Sequence, residues 1–327
     1  VGTDDSREIV FTSGATQSIN LVAQSYGRKF LSEGDEVIIS HLEHHANIVP
    51  WQVICEDTGA SLKVIPVDDN GDLLMDEYAK LLNGNTKIVA VTHVSNALGT
   101  INPVKKIVAM AHDVGAVVLI DGAQSAPHMR VNVKDIDCDF FVFSGHKMYG
   151  PSGVGVLYGK FDILKTMPPY VTGGEMIETV TFEKTTFVEP PLRFEAGTPP
   201  ITQVIGLGAA VDFIRDCGFE KISLYENDLL EYGTSLLQGI DGLKIIGNAK
   251  EKSGIISFTL DTVHPHDVVT ILGEEGIAVR GGHHCAQPAM RRFNVPATAR
   301  ASVSFYNTRE ELDALAEGVR KAMEMFS

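Results

Sequence analysis

Two short stretches of the sequence concentrate side chains capable of covalent chemistry. In Ser144-Gly145-His146-Lys147 a lysine follows an apolar run and precedes the turn-forming Gly150-Pro151-Ser152-Gly153. That setting places the amine at a strand end, where desolvation lowers its pKa and sharpens it as a nucleophile. The alternative for any lone lysine is a solvated surface charge. Here the neighbouring apolar run, AVVLID, ends in Asp121, a carboxylate that needs a partner to offset its desolvation. A protonated pyridine nitrogen would supply one, and a Schiff-base lysine with a pyridinium-binding aspartate is the pairing that pyridoxal phosphate requires.

The second stretch is Arg280-Gly281-Gly282-His283-His284-Cys285-Ala286-Gln287-Pro288. Two histidines and an arginine beside a thiol favour the thiolate, which is the reactive species. A zinc site or an inert buried cysteine are the competing readings. Zinc wants about four ligands, commonly with paired cysteines; His264 and His266 could be recruited, but no second cysteine lies near, so a reactive thiol ranks above metal and no metal is expected. Of the other cysteines, Cys138 sits between Asp137 and Asp139, whose charges oppose a thiolate, and Cys55 and Cys217 fall in expected helices where packing is the simpler role. With no CxxC and wide scatter, the four cysteines read as reduced thiols and not as a disulfide framework.

Residues of this kind must be held by something rigid. Short apolar runs alternate with helix-period segments through the first two thirds of the chain, the pattern of a mostly parallel sheet with helices on both faces. Strands are expected at Glu8–Phe11, Glu36–Ser40, Leu62–Pro66, Lys87–Thr92, Ala116–Asp121, Asp139–Phe143 and Gly153–Tyr158, seven in all. Ile19, Val22, Ala23, Tyr26 and Phe30 recur at helical spacing, and Pro103–His112 reads as a helix with proline in its first turn. Further on come helices near Gln203–Arg215 and Lys221–Gln238, strands at Gly254–Leu260, Ile277–Arg280 and Arg300–Phe305, and a closing helix from Thr308. The expected organisation is a large α/β domain over residues 1–215 and a smaller α+β C-terminal domain over 216–327 that carries the cysteine loop.

Ligands of an open parallel sheet bind at the carboxyl ends of its strands. Polar groups follow five of the expected strands, in Thr12 to Thr16, His41 to His45, His93 to Asn96, Asp121 to Gln124 and Ser144 to Lys147. The segment TSGATQSIN puts a glycine and small residues at a strand-to-helix turn, where free N–H groups and the helix dipole hold an anion. It is neither GxGxxG nor a Walker loop, so it suits a single phosphate; a plain N-cap by Ser13 or Thr16 fits the same residues equally well.

A chain of 327 residues with a formal net charge of -15 disfavours nucleic acid and anionic membrane as partners. No apolar run is long enough to span a bilayer, and VGTDDSREIVF lacks the pattern of a secretory signal, so a cytoplasmic location is expected.

Taken together, FTSGATQSINLVA, LEHHANIVPWQ, THVSNALGTINPV, LIDGAQSAPH, FSGHKMYGPSGVGVLYG, RFEAGTPP and RGGHHCAQP resemble the cysteine desulfurases of the SufS/CsdA type. These form the second desulfurase group of the class V aminotransferase family, on the pyridoxal-phosphate fold-type I scaffold. The similarity runs over nearly the whole chain, and the compact RGGHHCAQP marks the group. It implies that Lys147 carries the cofactor, Asp121 pairs with its ring nitrogen, Gln124 bonds the ring hydroxyl and His44 stacks on the ring. Ala15, Thr16, Ser144 and His146 then match the phosphate site, and Thr198 would reach into the site of a partner subunit in a homodimer. Asn96 and Arg300 match the residues that hold the substrate carboxylate, Arg280 lies near the cysteine loop, and Cys285 matches the sulfur acceptor. The implied activity converts L-cysteine to L-alanine and leaves a persulfide on Cys285 for iron–sulfur cluster assembly or other uses, through a SufE-like or SufU-like acceptor protein. The same residues could serve a selenocysteine lyase or a cysteine sulfinate desulfinase, or persist in a non-catalytic fragment that binds a sulfur acceptor. Relative to the family the chain reads as lacking an N-terminal segment that helps cover the active site.

Overall fold

The computed structural model describes residues 1–326. Seven strands form one sheet in the order β1-β7-β6-β5-β4-β2-β3. They are β1 (Ile9–Thr12), β2 (Glu36–Ser40), β3 (Ser61–Ile65), β4 (Thr86–Thr92), β5 (Val117–Asp121), β6 (Phe140–Ser144) and β7 (Gly155–Gly159). Each lies within two residues of its expected position. Pairings among β2 to β6 are parallel, and β7 runs against both β6 and β1. All five residues of β6 and of β7 are buried, as expected of strands covered on both faces.

Helices supply that cover. On one face pack α1 (Ala15–Val22) and α2 (Val49–Thr58), with Ile19, Trp51 and Ile54 fully buried among the strand residues. The other face holds α3 (Val104–Asp113), through Ile107 and Val108, and α4 (Ile201–Cys217), through Leu207 and Ile214. Pro103 stands at the N-cap of α3, one position ahead of the helix it was expected to open. After α4, Gly218 turns at φ 88° into α5 (Phe219–Gln238), whose start packs on the large sheet through Ile222 and whose later turns carry Leu229 and Leu237 into a separate core.

That second core lies under a four-stranded antiparallel sheet ordered β10-β11-β13-β12. Its members are β10 (Leu243–Ile246), β11 (Ile255–Leu260), β12 (Arg280–Gly282) and β13 (Thr298–Ser302), with α6 (Pro265–Glu274), α7 (Gln287–Arg292) and α8 (Arg309–Glu324) alongside. Thr308 caps α8 in a full capping box with Glu311.

Three expectations are corrected here. Ile277 and Val279 pack on the small core as an apolar lead-in, but the ladder starts only where Arg280 pairs with Arg300, so β12 is Arg280–Gly282 and not Ile277–Arg280. Strand β13 stops at Ser302, short of Phe305, because the Ser304 N–H turns back to Asn307 Oδ1. Pattern reading also passed over β10 and the small hairpin of β8 (Ile177–Val180) and β9 (Thr185–Phe187). The hairpin is largely solvated and so lacks the one-sided alternation that would reveal it. Among the described residues no helix is long and apolar enough to cross a membrane.

Candidate active site

The carboxyl ends of β4, β5 and β6 open into a cavity of about 300 Å³ that is also lined by β12, β13 and the loop between them. Ala15 and Thr16 reach it from the first turn of α1, Ser144 from the end of β6, and His146 and Lys147 from the turn that follows. Asp121 and Gln124 enter after β5, Asn96 after β4 and His44 after β2, while Arg280 and Arg300 come from β12 and β13.

At one end, the N-terminus of α1 is left without a side-chain cap, with Gly14 in the N-cap position. The N-cap reading for Ser13 and Thr16 is therefore overturned. The Ala15 N–H donates to Ser144 Oγ at 2.9 Å, tying α1 to the end of β6. The turn lies so close to β7 that a Cβ on Gly155 would fall 2.3 Å from Gly14 Cα. Only glycine lets the strand and the turn approach this closely, and the remaining helix N–H groups keep their positive potential toward the cavity.

At the floor, Asp121 is buried, accepts from the Ala123 N–H at 2.9 Å and has its pKa raised by burial, which the Lys147 charge partly opposes. Lys147 is held below the ordinary lysine range, first by desolvation, while Asp121 pulls the other way and Arg300 and Arg280 add to the lowering. Arg300 is itself lowered to about 10 by burial and by Arg280. Its Nη1 donates to Asn96 O at 2.6 Å, while Nε is buried with no protein partner. A cavity with two guanidinium groups and a buried amine is made for an anion.

His44 is locked by its own turn, because Nδ1 accepts from the Ala46 N–H at 3.0 Å. Burial, with the nearby charges of Lys147, His45 and Arg280, drops its pKa to about 4, so the ring is neutral at physiological pH. Beneath it lies a network that residue-by-residue reading missed. Glu43 is fully buried; it accepts from the Asn47 side chain at 2.6 Å, from the Thr92 N–H at 3.0 Å and from Ser40. Asn47 Oδ1 in turn accepts from the Trp51 indole at 2.9 Å. Glu43 and Asn47 stood in plain view in LEHHAN, and the available signal was a charged residue directly after the buried Leu42.

Of the cysteine loop, Arg280 and His284 line the cavity while Cys285 flanks it, half-buried and near enough for its charge to raise both Lys147 and Arg300. His284 and Cys285 both adopt left-handed backbone angles, φ 54° and 56°. One expectation fails here. His284 is buried, with Nε2 bonded to Thr298 Oγ1 at 2.8 Å and its pKa lowered to about 4; it is neutral and lends the thiol no positive charge, leaving Lys147 and Arg300 as the cations that sense the thiol. Cys138 is fully buried with its pKa pushed up to about 12, and Cys55 rises to about 11, both by desolvation first, in line with packing roles.

Thr198 is not brought to this cavity. It is exposed and lines a separate one, on the outer side of the Ser13–Gln17 turn with Glu195. Among the described residues, no group of three or more His, Cys, Asp or Glu is placed to hold a metal ion.

Residues 1–315 match the family described as aminotransferase class-V. The chain belongs to that family. Among class-V relatives, a cysteine desulfurase of Synechococcus elongatus is 54% identical over 316 residues, which are 97% of this chain and 50% of the relative. The chain thus spans about half the length of that curated relative. The structure of the cysteine desulfurase CsdA of Escherichia coli, in an S-sulfonic acid form, superposes with a TM-score of 0.96 at 39% identity, covering 99% of this chain and 81% of that one. A C-DES mutant with glycine covalently linked to its PLP cofactor superposes at 0.84 with 26% identity, over 97% of this chain and 81% of the other.

Proposed function

We propose that the protein is a pyridoxal-phosphate-dependent cysteine desulfurase in which sulfur passes to Cys285. What carries the reading is the convergence in one cavity of a buried amine, a buried carboxylate, an uncapped helix N-terminus and a cationic rim flanked by a thiol. The similarity to class-V relatives named as cysteine desulfurases supports the same conclusion.

The residues present fit the cofactor. Asp121 is a buried carboxylate without a direct cation of its own strand, which suits a protonated ring nitrogen. Gln124 would face the ring hydroxyl and His44 the ring, while Ala15, Thr16, Ser144 and His146 would surround the phosphate. When bound there through Lys147, pyridoxal phosphate supplies an electron sink for bonds broken at the substrate Cα and Cβ.

The chain's own groups do the rest. Arg300, whose Nε is buried and unpartnered, and Asn96 would grip the substrate carboxylate. Lys147 has a lowered pKa and so can be neutral when it takes the Cα proton. The Cys285 thiolate would attack the substrate sulfur; its S–S bond forms as the Cβ–S bond breaks, leaving that electron pair on carbon, which takes up a proton to become the alanine methyl. The resulting persulfide would pass to an acceptor protein of the SufE-like or SufU-like kind. Thr198, facing outward beside the Ser13–Gln17 turn, would complete the phosphate site of a second copy in a homodimer.

The test is the Cys285→Ala variant. It should bind pyridoxal phosphate and change its visible spectrum with L-cysteine as the parent does, while alanine release falls by orders of magnitude. Near-normal alanine release from the variant, or persulfide found by mass spectrometry on Cys138, would refute the assignment.

A further inference from the structure

His45 has no place in the chemistry above, yet it makes two bonds to the cysteine loop. Its backbone N–H donates to Cys285 O at 2.7 Å, and its ring Nε2 accepts from the Gln287 N–H at 3.1 Å. Gln287 opens α7, whose N-cap residue Ala286 offers no side-chain cap. The imidazole, from the turn after β2, therefore caps a helix that follows the cysteine loop and packs through Ala289 and Met290 on the core of the large sheet. One residue further back, Asn96 Nδ2 donates to His284 O at 2.6 Å, from the segment after β4. Between these fastenings lie His284 and Cys285 in the left-handed region, which non-glycine residues avoid unless held there.

We infer that His45 is a positioning residue for the sulfur-accepting thiol: its ring fixes the left-handed turn that presents Cys285 to the cavity. The turn bearing His45 is itself anchored through Glu43 and Asn47 to the end of β4 and to Trp51. His44, on the same turn, faces the cavity, so one rigid unit sets the ring-facing side chain and the thiol relative to each other. Of the fastenings His45 makes, only the one through the ring can be removed by substitution, which makes the inference testable.

The inference rests on the desulfurase reading for its meaning, but its test does not. In the cofactor-loaded full chain, Cys285 is alkylated with iodoacetamide in the absence of cysteine, and its peptide is quantified in the parent, His45→Ala and His45→Gln. Glutamine offers an acceptor at nearly the same reach. Loss of one exposed hydrogen bond of about 1 kcal/mol corresponds to roughly a fivefold change. The alanine variant should thus show Cys285 alkylation altered about three- to tenfold, and single-turnover persulfide formation reduced by a similar factor. The half-saturating cysteine concentration for the spectral change should stay put, and glutamine should restore both rates to within about twofold. Unchanged alkylation and persulfide formation in His45→Ala would overturn the inference, as would a loss shared equally by the spectral change or not rescued by glutamine. If the parent itself releases no alanine, the functional reading fails while the alkylation comparison still decides the role of His45.

Discussion

Gly155 offers the sharpest probe of the phosphate end of the cavity, because the obstacle a side chain would meet there is backbone and cannot swing aside. A Cβ at this position would stand 2.3 Å from Gly14 Cα and 2.7 Å from both Gly14 N and C, where ordinary contact begins at 3.4 Å. In Gly155→Ala the Ser13–Ala15 turn must retreat by about 1 Å or β7 must shift by as much. A retreat of that size stretches the 2.9 Å bond from the Ala15 N–H to Ser144 Oγ beyond hydrogen-bonding range. Overpacking costs about 1–3 kcal/mol and the lost bond about 1 kcal/mol, so a fall in unfolding free energy of about 2–4 kcal/mol is expected. Urea unfolding of the cofactor-free protein measures it. Titration with pyridoxal phosphate should show affinity weakened about tenfold or more, since the displaced turn carries the uncapped N–H groups. Gly208→Ala is the control: it lies in α4, a Cβ there meets nothing within 4 Å, and stability should hold or rise by up to about 1 kcal/mol. Gly155→Ala with parental stability would refute the steric reasoning, and a destabilised variant with unchanged cofactor affinity would show that the turn does not hold the phosphate.

Two charge perturbations follow from the same cavity. Asp121 raises the Lys147 pKa against desolvation and the two arginines, so in cofactor-free Asp121→Asn the amine should titrate lower than in the parent, as followed by NMR of reductively methylated lysines; an unchanged or higher value would mean that the two groups do not sense each other. Glu43 has its pKa raised from 4.5 to about 8, with burial the leading cause. A carboxyl raised in the folded state favours folding at low pH and loses that contribution as pH climbs from its unfolded value through about 8, a span worth about 4–5 kcal/mol. Glu43→Gln lowers stability at all pH, because the Trp51 indole fixes the Asn47 amide so that one donor always faces another. It should nevertheless flatten the decline in urea midpoint between pH 5 and pH 8, and parallel curves for parent and variant would sink the assignment.

Much of this site was legible because an open α/β sheet concentrates its polar residues where strands end. Asp121, Ser144 and Asn96 each follow a run of buried apolar residues, so periodicity located the strand and position after it located the rim. The small domain gave less away. Ile277 and Val279 look like strand and pack like strand, but the ladder begins at Arg280 and runs on through the two glycines after it. Charge at the thiol was misread for a related reason: RGGHHC counts two histidines, and only folding shows that His284 points into a dry site against Thr298. Proximity in sequence does not report solvation, and solvation decides whether an imidazole is a cation.

What no linear pattern could disclose is that the two ends of the chemistry are built from one set of bonds. Asn96, a candidate for gripping a carboxylate, gives one side-chain hydrogen to His284 O, and its own carbonyl already holds Nη1 of Arg300, the other candidate. An amide has a second hydrogen, and Arg300 keeps its Nε unpartnered, so an anion can be accepted without dismantling either bond. The residues that would receive the substrate therefore brace the backbone beside Cys285 before any substrate arrives. Such a site needs little rearrangement to bring thiol and substrate together, and the rigidity is distributed over elements of both sheets. The Asn96 amide after β4 contributes one arm through His284 O, Thr298 of β13 a second through His284 Nε2, and His45 the third from the turn after β2. A short loop held at three points leaves the Cys285 thiol fixed and half-buried at the cavity's edge, so under the proposed function an acceptor protein would have to come to it.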